Sequence, residues 1–305
     1  MIQTRSLPHP RVRVARVRTA RLRPGRVALH AFLILTVAVW LIPLLWAVYT
    51  ALRPIEDTTL QGYYSVATSL NFNNFTGVWT DAELPQFYWN TLIIVVPGVI
   101  LTLLIASMIA FAVTQFGWRF NLLVLMIFTA GNLLPPQVII VPLYWLYLNI
   151  PIPFDFISDN GLLYDQYIGI ILIHVVFQVG FATFVLSNYM RTITKEITES
   201  ALVDGANALR IWWSVILPLC RPALAAMATL LFTFIYNDFF WALILMKSGD
   251  KRPITSALNN LQGAFFTNYN RVAAGALLAA IPPVLIYIVL QKQFVRGLAL
   301  GATKG

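Results

Sequence analysis

Six long apolar segments, at roughly residues 28–50, 90–116, 120–148, 167–190, 222–246 and 272–291, set the terms for everything else in the chain. Each is near or above the ~20 residues that a helix needs to cross a bilayer. The only full charge inside them is Asp238. Hydrocarbon offers backbone groups no hydrogen bonds, so each segment must satisfy its own N–H and C=O, and the helix is the form that does so. Val, Ile and Phe are common there and disfavour helix in water; in lipid that preference is overridden. A composition of 59% apolar and 11% charged residues agrees. The expectation is an all-α membrane protein with six transmembrane helices.

Charge placement orients these helices. With the amino terminus inside, the inner segments hold sixteen of the 21 Lys and Arg residues: Arg5, Arg11, Arg13, Arg16, Arg18, Arg21, Arg23, Arg26, Arg119, Arg191, Lys195, Arg210, Arg221, Lys292, Arg296 and Lys304. The outer loops hold five, Arg53, Lys247, Lys251, Arg252 and Arg271. The positive-inside rule therefore predicts that both termini are cytoplasmic. It divides the chain into a basic cytoplasmic tail (1–26), a six-helix transmembrane domain (27–291) with a cytoplasmic loop at 191–221, and a cytoplasmic C-terminal tail (292–305). Val27–Thr50 outruns the 7–15 apolar residues of a signal peptide, so it reads as a retained first helix. The net charge of +9 gathers in the first tail. It reads as a topology signal touching anionic lipid rather than a nucleic-acid surface.

The cytoplasmic loop has internal order. Two helical runs, Lys195–Val203 and Ala206–Val215, flank Asp204-Gly205, a natural break because Gly reaches left-handed angles without steric cost. Thr194 is placed to cap the first run, Glu196 suits its dipole, and Leu217-Pro218 closes the second. Pro135, Pro136 and Pro142 interrupt the third apolar segment, which reads either as a kinked packing helix ending near Leu143–Leu148 or as a bent helix lining a path. The outer stretch from Ala51 to Trp89, with Trp79 and Trp89 as interface anchors, is either a connector or a docking surface.

Several chemistries are missing. The sequence has no Gly-x-x-x-x-Gly-Lys phosphate loop, no His-Glu-x-x-His and no Gly-x-Ser-x-Gly. One cysteine, Cys220, leaves no disulfide framework, and His9, His30 and His174 are too dispersed for a metal site. His174 reads as a hydrogen-bonding partner for a neighbouring helix. Asp238 costs about 2.5–3.5 kcal/mol at a helix centre on insertion scales, so it should face protein or water. Tyr236-Asn237-Asp238-Phe239-Phe240-Trp241 mixes hydrogen-bonding groups with aromatic faces, as sugar sites do. The same carboxylate suits loop anchoring or the coupling ion site of a secondary carrier.

Glu199-Ser200-Ala201-Leu202-Val203-Asp204-Gly205-Ala206, with Leu217-Pro218 following at eleven and twelve residues, resembles the "EAA" motif of ABC importer permeases. Most of the chain is similar to the shorter permease subunit of the maltose-type carbohydrate-uptake systems. Asn90-Thr91-Leu92, Ala110-Phe111-Ala112, Phe116-Gly117, Leu134-Pro135-Pro136-Gln137, Val141-Pro142-Leu143-Tyr144, Asn237-Asp238-Phe239, Ile281-Pro282-Pro283 and the ending from Gln291 to Gly305 carry that similarity. Ser200 departs from the usual Ala but stays small.

The resemblance implies a type I ABC importer permease fold in a bacterial or archaeal inner membrane. Glu199, Ala201, Asp204, Gly205, Ala206, Leu217 and Pro218 would then couple to a cytoplasmic ATPase. Asn237, Asp238, Trp241, Pro135 and Gln137 are candidates for the substrate path, and Lys292, Arg296 and Lys304 for a C-terminal ATPase contact. No catalytic residue, metal or cofactor is expected in this chain, since ATP and Mg would bind a partner. The implied partners are a second homologous permease, two ATPase subunits, an external solute-binding protein and lipid, with no nucleic acid. The other class left standing is a proton- or ion-coupled carrier or channel using Asp238.

Overall fold

The computed structural model describes residues 24–116, 119–131, 135–261 and 267–302. The basic tail 1–23 thus lies outside the described residues. Contacts divide the chain into two units, Met1–Trp46 and Ala47–Gly305. The first contributes most of helix α1 (Pro24–Leu52), which carries Pro43 internally. Phe32, Ile34, Leu35, Trp40, Ile42 and Leu45 on this helix are all exposed, so its apolar surface has no polar side to present to water. Its polar side chains turn back on the backbone: Thr36 Oγ1 donates to the Phe32 carbonyl at 2.9 Å, and His30 Nδ1 lies 2.6 Å from that of Arg26. Such self-satisfaction suits a helix solvated by hydrocarbon.

In the second unit α2 (Ile55–Gln61) and α3 (Asn73–Thr80) lead into the long α4 (Leu84–Gln115). Helix α5 (Asn121–Gly131) and, after a 3-10 turn at Pro136–Ile139, α6 (Ile140–Asn149) precede α7 (Tyr167–Met190). Next come α8 (Lys195–Val203), α9 (Ala208–Ile211), a π turn (Trp212–Ile216) and α10 (Leu217–Leu219). The chain finishes with α11 (Arg221–Tyr236), α12 (Phe240–Leu245), α13 (Ile254–Ala257) and α14 (Tyr269–Ala302). Among the described residues there is no strand; Pro151 and Leu162 form an isolated antiparallel bridge.

Among the described residues four helices are long and apolar enough to cross a membrane, or up to six spans when Asn121–Gly131 is joined to Pro136–Asn149 and Ala208–Leu219 to Arg221–Tyr236. They are α1, α4, α7 and α14, where four of the six expected segments lie. The other two segments are broken. In the third, Pro136 opens the 3-10 turn and Pro142 falls in the first turn of α6, where a missing N–H forfeits no helical bond. The fifth, expected as one helix over 222–246, parts at residues 237–239 because the Asp238 side chain caps α12.

Helices α4 and α7 lie along each other, with α11 and α14 completing the bundle. Ala106, Ala110 and Ala182, all fully buried, allow close backbone approach in one apolar cluster near the Gln115 end of α4. A second cluster, with Ile94, Ile170, Ile235, Trp241 and Leu245, fills the Leu84 end. Helix α6 is pinned to α7 through Gly169. A Cβ there would meet the Leu163 carbonyl at 2.7 Å, and Tyr147 Oη donates to the Gly169 carbonyl at 2.8 Å.

Candidate functional site

The loop between α7 and α11 is preformed. Helix α8 occupies the expected span, and Gly205 sits at φ +78°. The Ala206 N–H bonds to the Ala201 carbonyl and the Gly205 N–H to that of Leu202, both at 3.0 Å, which completes a Schellman end. Asn207 then caps α9, its Oδ1 accepting from the Arg210 N–H at 2.8 Å. Sequence reasoning missed Asn207, although Asn ahead of a helical run is a standard cap signal.

Two local expectations are corrected. Thr194 holds the N-cap position with extended angles, but its side chain makes no capping bond. Its backbone carbonyl takes the Ile197 N–H instead, at 3.3 Å. Nor does Leu217-Pro218 end the second run. The Leu217 N–H reaches five residues back to Trp212, and this wider turn accommodates a proline that has no donor. Helix continues to Leu219, and the chain bends by 80° before α11.

The face of this loop is unusual. Glu199, Asp204, Gly205 and Pro218 are exposed, while Ala201, Ala206 and Leu217 pack partly against the apolar cluster beneath. Ser200 is exposed too and donates to the Glu196 carbonyl at 2.7 Å, so its departure from Ala disturbs no packing. Beside Glu199 and Asp204 stand Val203, 88% exposed, and Leu209, 61% exposed. Below them Trp212 is buried in the π turn, and its Nε1 has no partner.

The five path candidates differ in burial and in partners. Pro135 and Gln137 are exposed at the 3-10 turn, and Asn237 is exposed with its amide on the Thr233 carbonyl. Trp241 is buried against Phe177 at 5.3 Å between ring centroids. The Asp238 side chain, 9% exposed, accepts from the backbone N–H groups of Trp241 and Ala242 at 3.2 Å each. His174 Nε2 on α7 lies 3.4 Å from Asp238 Oδ2 at this break but makes no hydrogen bond, so the hydrogen bond expected of His174 to a neighbouring helix is not formed at that atom. A cavity of about 700 Å³ lies elsewhere, lined by Asn71, Asn74, Asp81, Glu83, Phe87 and Arg271 among others. No cluster of three His, Cys, Asp or Glu side chains suited to a metal occurs among the described residues.

Helix α14 runs on to Ala302, so no helix end separates the expected tail at 292 from the last span. Lys292 and Arg296 lie on this helix with side chains outside the described set, and Lys304 lies outside the described residues.

Residues 98–299 match the family described as binding-protein-dependent transport system inner membrane component. The chain belongs to this permease family. The permease is 28% identical over 274 residues to the diacetylchitobiose uptake system permease protein NgcG of Streptomyces coelicolor, covering 89% of this chain and 87% of that protein. It is 30% identical over 237 residues to the melibiose/raffinose/stachyose import permease protein MelC of Bacillus subtilis, covering 77% and 82%. A chain in the crystal structure of a bacterial ABC transporter that imports the acidic polysaccharide alginate shares its fold, with a TM-score of 0.74 at 23% identity over 89% of this chain and 97% of that one. The permease is thus a multi-pass membrane protein, as its apolar helices require.

Proposed function

We propose that this permease is the membrane subunit of an ATP-driven importer for a carbohydrate-class solute, and that residues 191–221 are where a cytoplasmic ATPase grips it. The observation that carries the coupling assignment is the exposed face made by Glu199, Val203, Asp204 and Leu209 on an otherwise well-bonded turn. Val203 and Leu209 add apolar surface beside the carboxylates of Glu199 and Asp204, a combination that a partner's cleft can cover. The sugar-uptake relatives supply the solute class, and the family description supplies dependence on an external binding protein.

In this reading ATP binds the partner ATPase pair, whose closure moves the 191–221 loop and switches the membrane helices between inward- and outward-open forms. A second, homologous permease completes the path. Glu199 contacts the ATPase, Gly205 keeps the turn sharp, and Ala201 and Ala206 allow close seating on the bundle. Lys292, Arg296 and Lys304 supply a second, basic contact for the ATPase, and both termini are cytoplasmic. The two backbone N–H groups that Asp238 accepts support a capping role at the start of α12 rather than the coupling site of a proton-driven carrier.

Coexpression tests the assignment. ATPase subunits should co-purify with the wild-type chain and be lost on Glu199→Lys with Gly205→Pro. Retention by that variant sinks the coupling assignment, and uptake driven by a pH gradient in liposomes without ATPase favours the carrier.

A further inference from the structure

We propose that Gln115 and Thr198 form the joint that carries movement of α8 into the membrane helices, an inference that rests on the coupling reading above. Thr198 is the buried residue of α8, 3% exposed, while Glu199, Ser200, Leu202 and Val203 around it face outward. Its Oγ1 donates to Gln115 Oε1 at 2.8 Å, and Gln115 Nε2 donates to the Met190 carbonyl at 3.3 Å. Gln115 is the last residue of α4 and Met190 the last of α7. One side-chain amide therefore ties the ends of two packed helices to the loop helix.

Helix ends leave their final carbonyls without partners in the helix. The Met190 carbonyl accepts from the Ile193 N–H at 3.1 Å and takes the Gln115 amide as its second donor. The chain itself, through residues 191–194, ties α8 to α7 alone; the Gln115 bond is what adds α4. The neighbouring contact, made by Ile211, Trp212 and Ile216 in the apolar cluster, is non-directional and can slide. A buried hydrogen bond has fixed geometry, and parting it strands two desolvated polar groups. Displacement of α8 thus carries the ends of α4 and α7 with it. Gln115 and Thr198 are positioning residues: they hold helices rather than touch ATP or solute.

The test uses the assembled permeases and ATPases in lipid nanodiscs, with Cys220→Ala and nitroxides at Ala112→Cys on α4 and Ser200→Cys on α8. With the joint intact, the label pair should keep one narrow distance in the nucleotide-free and the ATP–vanadate-trapped states. Thr198→Val and Gln115→Leu should each shift and broaden the trapped distance with co-purified ATPase undiminished. The double variant should be no broader than either, and Thr198→Ser should restore the narrow distance. Should Thr198→Val fail to assemble, Gln115→Leu carries the same prediction from the other helix. Variant distances equal to the intact ones in both states, or an intact pair that itself shifts on trapping, overturn the joint. A wild-type chain that never co-purifies with ATPase overturns the coupling reading as well, which separates the two failures.

Discussion

At the Leu84 end of α4 the loops are held by many buried polar groups, whereas at the Gln115 end the loop helix has few; both ends leave apolar side chains exposed, Leu60, Tyr64 and Val66 at one and Val203 and Leu209 at the other. Arg53, 1% exposed, contacts Asp57 at 2.7 Å and donates to the Gly62, Tyr63 and Ser65 carbonyls and the Ser65 hydroxyl. Asn74 bonds the Ala51 and Arg53 carbonyls, and Asn270 those of Thr50 and Arg53, so the last turn of α1 is stitched to α3 and α14. At the other end α8 rests on one buried hydroxyl while Val203 and Leu209 stand exposed. One end is tied by many polar bonds. The other is tied by few, which suits the proposal that a second protein moves this loop.

The contrast breaks most visibly at Arg53. Arg53→Leu leaves the Asp57 carboxylate without its cation, the Tyr63 carbonyl without its donor and the Gly62 and Ser65 carbonyls with one donor fewer, so it should give the largest fall in melting temperature in detergent. An unchanged melt would show that this end is not held by polar groups. Asn270→Ala should cost about 1–3 kcal/mol, because the Thr50 carbonyl and the Thr58 hydroxyl lose its amide in a buried setting. Chemical denaturation in mixed micelles measures it.

Gly205→Ala forces a side chain into left-handed geometry at a local cost of about 1–2 kcal/mol. No neighbour lies within 4 Å of the added Cβ, so the effect should be confined to the turn. Faster hydrogen exchange at Ala206 with weaker ATPase capture is the expected outcome, with a smaller fall in melting temperature than Arg53→Leu gives. The smallest stability change, within about 0.5 kcal/mol, is expected for Val203→Ser, since the side chain touches little. Its capture of ATPase should nevertheless fall; undiminished capture would remove the reason given for the exposed valine.

Acid sharpens the same comparison. Hydrogen bonds from Thr68 and then Arg53 hold the Asp57 carboxyl below its ordinary value of 3.8, and Lys251 followed by Gln166 does the same for Asp159. A carboxyl depressed by folding contributes stability that is fully present above its unfolded value and lost as pH falls through the folded one. The Leu84 end should therefore loosen only below about pH 3.8, and Asp57→Asn should remove its share of that pH dependence. Hydrogen exchange of residues 50–70 across an acid series checks this.

How much was readable beforehand differs between the ends. The Schellman turn at Gly205 was legible because its requirement is local: a glycine two residues past the end of a helical run. Pro218 misled for the opposite reason, since whether a proline stops a helix depends on the turn before it, here a π turn fixed by the burial of Trp212 and Ile216. Arg53 counted correctly as a loop charge, yet its burial depends on Asn74, Asn270 and Ser65, up to 217 residues away in the chain. Asp238 was expected to face protein or water; that it faces protein, with the Trp241 and Ala242 amides on its carboxylate and His174 nearby, follows from where α11 ends.

By itself the sequence determined the solvent, the helical class and the place of the loop at 191–221, because apolar length, charge count and glycine geometry act over a few residues and need no partner. Tertiary structure decided which polar residues are buried, which of the apolar segments break, and that Thr198 meets Gln115 across 83 positions. Those outcomes depend on which helix ends come together, and only packing of the whole bundle sets that.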